Sequence, residues 1–407
     1  MNDCQTATLS NGLRIIQIPS ASPVVYSGFA VNAGTRDERD DEQGMAHFVE
    51  HVLFKGTRKR RAWHILNRME NVGGDLNAFT NKEETVVYAA FLPEHLPRAV
   101  ELLSDIVLHS TFPQREIDKE VEVILDEIQS YEDTPSELIF DEFENLLFRG
   151  HALGRNILGL PEQLKAFRTD DALRFVRRYY HPSNMVFFLK GPVDFRRTVR
   201  LVERYAGEVL PAPGVAERTP LPPYRPERLT VRKDTHQAHV MLGCRAYPAC
   251  SDKRTGLYLL NNLLGGPGMN SRLNVALRER RGLVYTVESN LTSYTDTGVF
   301  SIYFGTDPDD VDTCLRLTRK ELKRLRDVRL TTAQLAAAKK QLIGQIGVAA
   351  DNFENEALGV GKMFLHYRRF EAQESLFRRI EALTSSQLLE IANELLADEH
   401  LSELVYC

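Results

Sequence analysis

Apolar and polar residues alternate with a period of two in Leu13–Ile18 (LRIIQI) and Val24–Val31 (VVYSGFAV), and again in Ala238–Tyr247 (AHVMLGCRAY). A period of two puts successive side chains on opposite faces of a sheet, so each run reads as a strand. Both halves of the chain then continue in parallel. Glu84–Phe91 (ETVVYAAF) is followed by the amphipathic stretch Pro93–Val107, and Thr297–Thr306 (TGVFSIYFGT) by the amphipathic stretch Asp307–Leu322. Each half closes on a helix and a short strand, Asn184–Gly191 (NMVFFLKG) and Leu401–Cys407 (LSELVYC). The strands come in meander-like pairs rather than in βαβ alternation. This predicts an α+β fold: two related α/β-sandwich domains in tandem, each a sheet covered by helices on one face. The segment Leu210–Glu227 carries six prolines and no hydrophobic period. Proline stiffens a chain and removes backbone donors, so this segment reads as a linker. The expected organisation is a first domain over 1–212, a linker over 213–227 and a second domain over 228–407.

Composition narrows the classes without choosing among them. A hydrophobic share of 43 % and a charged share of 26 % are those of a globular protein, and a net charge of −5 gives no reason to expect a nucleic-acid partner. The five cysteines are scattered and include no C-x-x-C pair, which fits a reducing compartment better than a disulfide framework. No basic region followed by an apolar stretch opens the sequence, and no run approaches the roughly 18 apolar residues of a spanning helix. The expectation is a cytoplasmic protein without a membrane partner.

The sharpest local signal is GMAHFVEHVLFKGT. His47 and His51 are four apart, which stacks their imidazoles on one helical face, and Glu50 lies on the same side. Two imidazoles and a carboxylate suit Zn²⁺, and H-x-x-E-H is the inverted order of a zinc-peptidase motif. The flanking Met45, Phe48, Val49, Val52, Leu53 and Phe54 predict a mostly buried helix, in which polar groups need partners. Glu127 is the candidate third ligand. In its helix Ile117, Val121, Ile124 and Ile128 form the apolar stripe, with Glu120 and Glu127 flanking it. Seven acidic residues lie from Glu116 to Glu132, ends included, however, and periodicity alone favours a solvated acidic helix.

Taken together these motifs resemble the pitrilysin, insulysin and mitochondrial processing peptidase family of zinc peptidases, over nearly the whole chain. HFVEH is followed by EVEVILDE, whose glutamates match the family's third ligand, here Glu127, and its supporting partner, here Glu120. Gly73–Thr85 (GGDLNAFTNKEET) matches the family's substrate-binding edge strand, and LRERRGLVY its arginine–tyrosine pair, here Arg278 and Tyr285. The resemblance implies one Zn²⁺ per chain on His47, His51 and Glu127, with Glu50 as general base. It also implies a peptide paired with Asn77, Ala78, Phe79 and Thr80, and substrate and oxyanion contacts from Arg278 and Tyr285. Among family members of about 400 residues the expected assembly is a homodimer enclosing a chamber, so that Arg278 and Tyr285 serve the other subunit.

Aligning His47–Leu53 with Tyr258–Leu264 places Tyr258, Asn261 and Asn262 where His47, Glu50 and His51 stand. The second half therefore lacks a metal set. The alternatives are a non-catalytic scaffold of the same fold, or a subunit that needs a different partner chain. Three other features carry no function on this reading. Gly265–Leu273 lacks the G-K-[ST] ending of a phosphate loop and reads as a turn before a helix. Arg58–Arg61 reads as a solvated turn. His236 and His239 fall on opposite faces of a strand.

Overall fold

The computed structural model describes residues 4–210, 218–233 and 235–407. Residues 213–217 of the expected linker lie outside the described residues. Along the chain the strands are β1 Gln5–Thr8, β2 Arg14–Pro19, β3 Val25–Val31, β4 Asp75–Thr80, β5 Thr85–Phe91, β6 Met185–Gly191, β7 Arg228–Val231, β8 Ala238–Ala246, β9 Val284–Ser293, β10 Gly298–Thr306 and β11 Ser402–Tyr406. The first helices are α1 Met45–Leu53, α2 Ala62–Glu70, α3 Leu96–His109, α4 Gln114–Glu132, α5 Pro135–Leu147, α6 Pro161–Leu164, α7 Thr169–Tyr179 and α8 Phe195–Ala206. They are followed by α9 Arg254–Gly265, α10 Val311–Asp327, α11 Thr332–Ala349, α12 Phe353–Tyr367, α13 Gln373–Ala382 and α14 Ser385–Leu395. Every strand and helix named from periodicity is present.

Two sheets result, with strand orders β1-β2-β6-β3-β5-β4 and β7-β11-β8-β10-β9. Leaving out β1, the two share one design. Both contain a parallel pair of first and last strands, β2 with β6 and β7 with β11. The remaining neighbours are antiparallel, β6-β3-β5-β4 in one and β11-β8-β10-β9 in the other. The third strand in chain order, β4 or β9, is the edge in both. A helix precedes it each time and packs on it, α1 on β4 and α9 on β9. Identical order and direction over five strands are the signature of a duplicated unit, and they put Tyr258, Asn261 and Asn262 on the helix that corresponds to the His47–His51 helix.

The chain forms two compact units, one of Met1–Gln129, Arg155–Pro220 and Ala350–Phe370, the other of Ser130–Gly154, Leu221–Ala349 and Glu371–Cys407. Chain order and unit membership part company at two short segments, and these supply something the hydrophobic pattern does not show. In the first unit α3 packs on one face of the sheet, against β3 and β5. The other face is covered by α12, whose Ala357, Val360, Phe364 and Leu365 meet Ile16, Ile18, Ala30, Val86, Val186 and Phe188. Gly361 makes this approach possible, because a Cβ there would stand 2.6 Å from the Phe188 ring. In the second unit α9, α10 and α14 cover one face. Ile139, Phe143, Leu146 and Leu147 of α5 cover the other, against Met241, Val299, Tyr303, Leu404 and Tyr406. Each sheet thus has helices on both faces rather than on one, since both of its faces are apolar and neither is left to water.

Helix α12 is also fixed by charge. Glu84, fully buried just before β5, binds Nζ of Lys362 at 2.7 Å and Nε2 of His366 at 3.0 Å. Burial alone pushes its carboxyl up, but the hydrogen bond from His366 and the charge of Lys362 outweigh it and bring the carboxyl down to about 2. A carboxylate whose pKa is depressed on folding adds stability above its ordinary pKa, here 4.5, and loses it as the pH falls through the folded value. Glu84→Gln is therefore expected to cost roughly 3 kcal/mol near pH 7, the lower end for breaking a buried pair, because Lys362 is partly exposed. Denaturant titrations of both proteins should show that difference shrinking between about pH 5 and pH 2; a difference independent of pH would refute the assignment.

Candidate metal centre

Helix α1 is apolar almost all round. Met45, Ala46, Phe48, Val49, Val52 and Leu53 are all fully buried. Its polar residues His47, Glu50 and His51 share the remaining face, one turn deep. The imidazole centroids lie 4.6 Å apart with their planes inclined at 63°. Helix α4 lies opposite, buried along Ile117, Val121, Ile124 and Ile128. This stripe turns Glu120 and Glu127 toward α1. One Glu127 oxygen stands 4.0 Å from Nε2 of His47 and 3.7 Å from Nε2 of His51. One donor atom from each of His47, His51 and Glu127 lies within 4.8 Å of the others, and no other such group of three occurs among the described residues. The acidic helix of the sequence is thus two-sided: Glu127 is half-exposed and faces the imidazoles, while Glu120 is buried.

Charge in this cluster is arranged for a cation. Burial, with the neighbouring His51, lowers His47 to about 3, so its ring is neutral at physiological pH. Its Nδ1 is buried without a hydrogen-bond partner. Burial also lowers His51, but the hydrogen bond to Glu120 and the charges of Glu50, Glu127 and Glu120 reverse this and leave it raised. Glu120 accepts from His51 Nδ1 at 3.2 Å and, through its other oxygen, from Lys55 Nζ at 2.5 Å. That bond leaves Nε2 of His51 as the free donor atom facing Glu127. Three carboxylates crowding two imidazoles are poorly balanced until a positive charge joins them. Two imidazole nitrogens and one carboxylate oxygen at this separation fit the three-ligand set of a catalytic Zn²⁺ site.

Glu50 is not one of the three clustered donors. Burial pushes its carboxyl up and the charge of Glu127 adds to this, while a hydrogen bond with Thr80 and the charge of His51 pull the other way. Its carboxyl stays above the ordinary carboxylate range, a property a general base uses. Thr80 ends β4, the free edge of the first sheet. On that edge the Ala78 N–H is bonded not to β5 but to the Asn77 side chain, at 2.8 Å. Asn77 is exposed, and Phe79 turns away from α1 and packs against Tyr88 on the α12 side.

The remaining residues singled out from the sequence lie in the second unit. Arg278 falls in a π-helical turn, Asn274–Glu279, and Tyr285 at the start of β9 with its side chain largely exposed. Both line a cavity of about 860 Å³ beside α9, together with Tyr258, Asn261 and Asn262. His239 donates to or accepts from the Tyr303 hydroxyl at 2.9 Å, as an ordinary buried histidine does. Gly265–Leu273 is a turn leading into the π-helical segment. Two residues of the first site were not singled out from the sequence. Lys55, one turn beyond His51, holds Glu120, and Glu38 binds the first amides of α1. Helical spacing would have suggested Lys55; Glu38 lies in a loop and offers no period.

Comparisons with known proteins give the family of the chain. The family model described as Insulinase (Peptidase family M16) matches residues 14–160, and that described as Peptidase M16 inactive domain matches residues 166–342. An uncharacterized zinc protease of Bacillus subtilis is 32% identical over 98% of this chain and 97% of its own length. One of Streptomyces coelicolor is 35% identical over 96% of this chain and 86% of its own. A protease from Helicobacter pylori has the same fold, with a TM-score of 0.92 over 100% of both chains at 21% identity. An M16-like peptidase from Alicyclobacillus acidocaldarius superposes with a TM-score of 0.88, at 21% identity over 100% of this chain and 98% of that one. No described helix is long and apolar enough to cross a membrane. The motifs, the duplicated sheets and these relatives together establish that the chain belongs to the insulinase family of peptidases, family M16.

Proposed function

We propose that this chain is a zinc-dependent endopeptidase that hydrolyses peptides or unfolded polypeptide segments. The observation that carries the reading is the convergence of His47, His51 and Glu127 donor atoms within 4.8 Å, with Glu50 on the same helical face. One zinc per chain, held by those three residues, would polarise the scissile carbonyl and lower the pKa of a water to about 7. Glu50 takes the proton of the attacking water and returns it to the departing amine. Glu120, braced by Lys55, fixes the orientation of His51 and keeps Nε2 directed at the site. An extended peptide pairs with β4 through its backbone, with the Asn77 side chain swinging off the Ala78 N–H to make room. Recognition through the backbone accounts for a substrate defined by being unfolded rather than by one residue.

In this reading the active form is a homodimer enclosing a chamber. Arg278 and Tyr285 of one subunit act on peptide held at the other subunit's metal site, where the Tyr285 hydroxyl donates to the developing oxyanion.

Wild type and Glu50→Gln, purified metal-replete, are expected to hold about one zinc per chain each, by mass spectrometry, while only the wild type cleaves a mixed peptide library. Equal cleavage by the two would remove Glu50 from the mechanism, and absence of zinc from both would remove the reading. Glu120→Gln should speed zinc loss to a chelator by about 10- to 100-fold without abolishing folding. Mixing Glu50→Gln with Tyr285→Phe should restore about a quarter of wild-type activity, since random pairing makes half the dimers mixed and each has one intact site of two. No recovery, once subunit exchange is verified, would rule out action across the interface.

A further inference from the structure

Helix α1 begins without a capping side chain of its own. Its N-cap is Gly44, in the left-handed region at φ +90°, and its first turn holds no acidic residue. No larger residue can stand there. A Cβ on Gly44 would lie 2.7 Å from the Leu158 carbonyl oxygen and 2.8 Å from Cα of Gly159. The serine, threonine or aspartate that ordinarily accepts from the first helical amides is thus excluded by the crossing of two backbones.

The acceptor comes instead from six residues upstream. Glu38 is 5% exposed, and its two oxygens accept separately from the Gly44 N–H at 2.9 Å and the Ala46 N–H at 2.8 Å. The flanking segment is fastened in turn. Arg155 donates to the Glu38 carbonyl at 2.8 Å, and Arg218 grips Asp37 through two bonds of 2.8 and 2.9 Å. Arg36 binds Glu83 at 2.8 Å through its side chain and the Lys82 carbonyl at 2.9 Å through its backbone, in the turn that follows β4. One short segment therefore joins the start of α1 to the end of the edge strand.

We infer that Glu38 is a positioning residue, whose carboxylate fixes the height and rotation of α1 and through them the aim of His47, Glu50 and His51. The inference rests on the reading of α1 as the metal-binding helix. Burial pushes the Glu38 carboxyl up to about 8, against the pull of the two amides and of Arg155; in its ionised form it offers one acceptor to each amide and complements the positive end of the helix. An amide in its place offers a single acceptor oxygen and turns an NH₂ group toward the second N–H. The geometry at stake is fine, since a displacement of about 1 Å can cost on the order of 10²-fold in rate.

The test compares wild type with Glu38→Gln and Glu38→Asp in the full chain. Amide hydrogen exchange of metal-free protein is expected to show residues 44–48 opening about tenfold faster or more in Glu38→Gln, with exchange in the second unit unchanged. In zinc-loaded protein, loss of the metal to a chelator should be about 10- to 100-fold faster. The kcat per zinc-loaded chain should fall by about tenfold or more with KM within about twofold. Glu38→Asp, which keeps the charge but reaches one amide, should lie between, and it decides the matter if Glu38→Gln does not fold. A folded variant whose first-turn exchange and zinc loss equal wild type overturns the inference. So does a kcat loss wholly explained by a smaller folded fraction. Should the wild type itself hold no zinc and cleave nothing, the proposed function fails, while the metal-free exchange comparison still judges Glu38.

Discussion

The first unit is organised around one constraint: a helix buried on nearly every side carries two imidazoles and a carboxylate into its interior. Buried polar groups cost several kcal/mol unless they are partnered, and partners reach this helix from three other elements. Helix α4 brings Glu120 to His51 and Glu127 to both rings. The last residue of β4 brings Thr80 to Glu50, and the loop before the helix brings Glu38 to its first amides. The partners are nearly all anionic. Against these carboxylates stand Lys55 and a His51 ring that they hold raised, beside a neutral His47, an arrangement that favours a cation among the donors.

Much of this was legible in the sequence, and the reasons are specific. Strands β2, β3, β5, β8 and β10 show in their apolar runs because each is buried along its length. His47, Glu50 and His51 are legible because helical periodicity is local: a spacing of four residues fixes a shared face without knowledge of the rest. Glu127 was visible as a residue able to face inward but not as one that does, since a stripe gives direction and not distance. The face chosen by α12 was out of reach. Its apolar positions announce a buried side, but nothing local says that the sheet it covers is the one formed by residues more than 160 positions earlier. Glu38 is the extreme case. It acts through a loop, and the need for it arises from a collision between Gly44 and Gly159 that only the folded backbone reveals.

The duplicated sheet shows what the fold requires and what the site adds. Both units keep the same five-strand order with a helix laid on the edge strand. In the second, the helix carries Tyr258, Asn261 and Asn262 and borders a cavity of about 860 Å³. Asn261 and Asn262 are buried, and Asn261 donates to the Ser289 carbonyl at 3.0 Å on β9. The amide nitrogen is thus paired with the strand beside it, while its oxygen is buried without a hydrogen-bond partner. The imidazoles and carboxylates of the first unit instead call on a separate helix and a positive charge. The architecture does not depend on that cluster, because the second unit keeps the same strand order with Tyr258, Asn261 and Asn262 at the corresponding positions. The donor cluster depends on the architecture, which sets α1 and α4 so that donor atoms of His47, His51 and Glu127 lie within 4.8 Å of one another.

The same reasoning explains why the edge strand beside the site stays open without becoming a hazard. An unpaired edge presents free N–H and C=O groups and invites pairing with any other strand, so proteins keep such edges short or blunted. Here β4 is six residues long and carries Asp75 and the exposed Asn77, and one of its amides is already occupied by that asparagine's own oxygen. A neighbouring chain must displace this bond before it can pair. The exchange costs little for a peptide, which returns a hydrogen bond of equal quality and adds its own strand partners. A folded protein would have to give up an edge of its own to do the same. On the proposed function, edge protection that is weak and local would admit an unfolded chain more readily than a folded one.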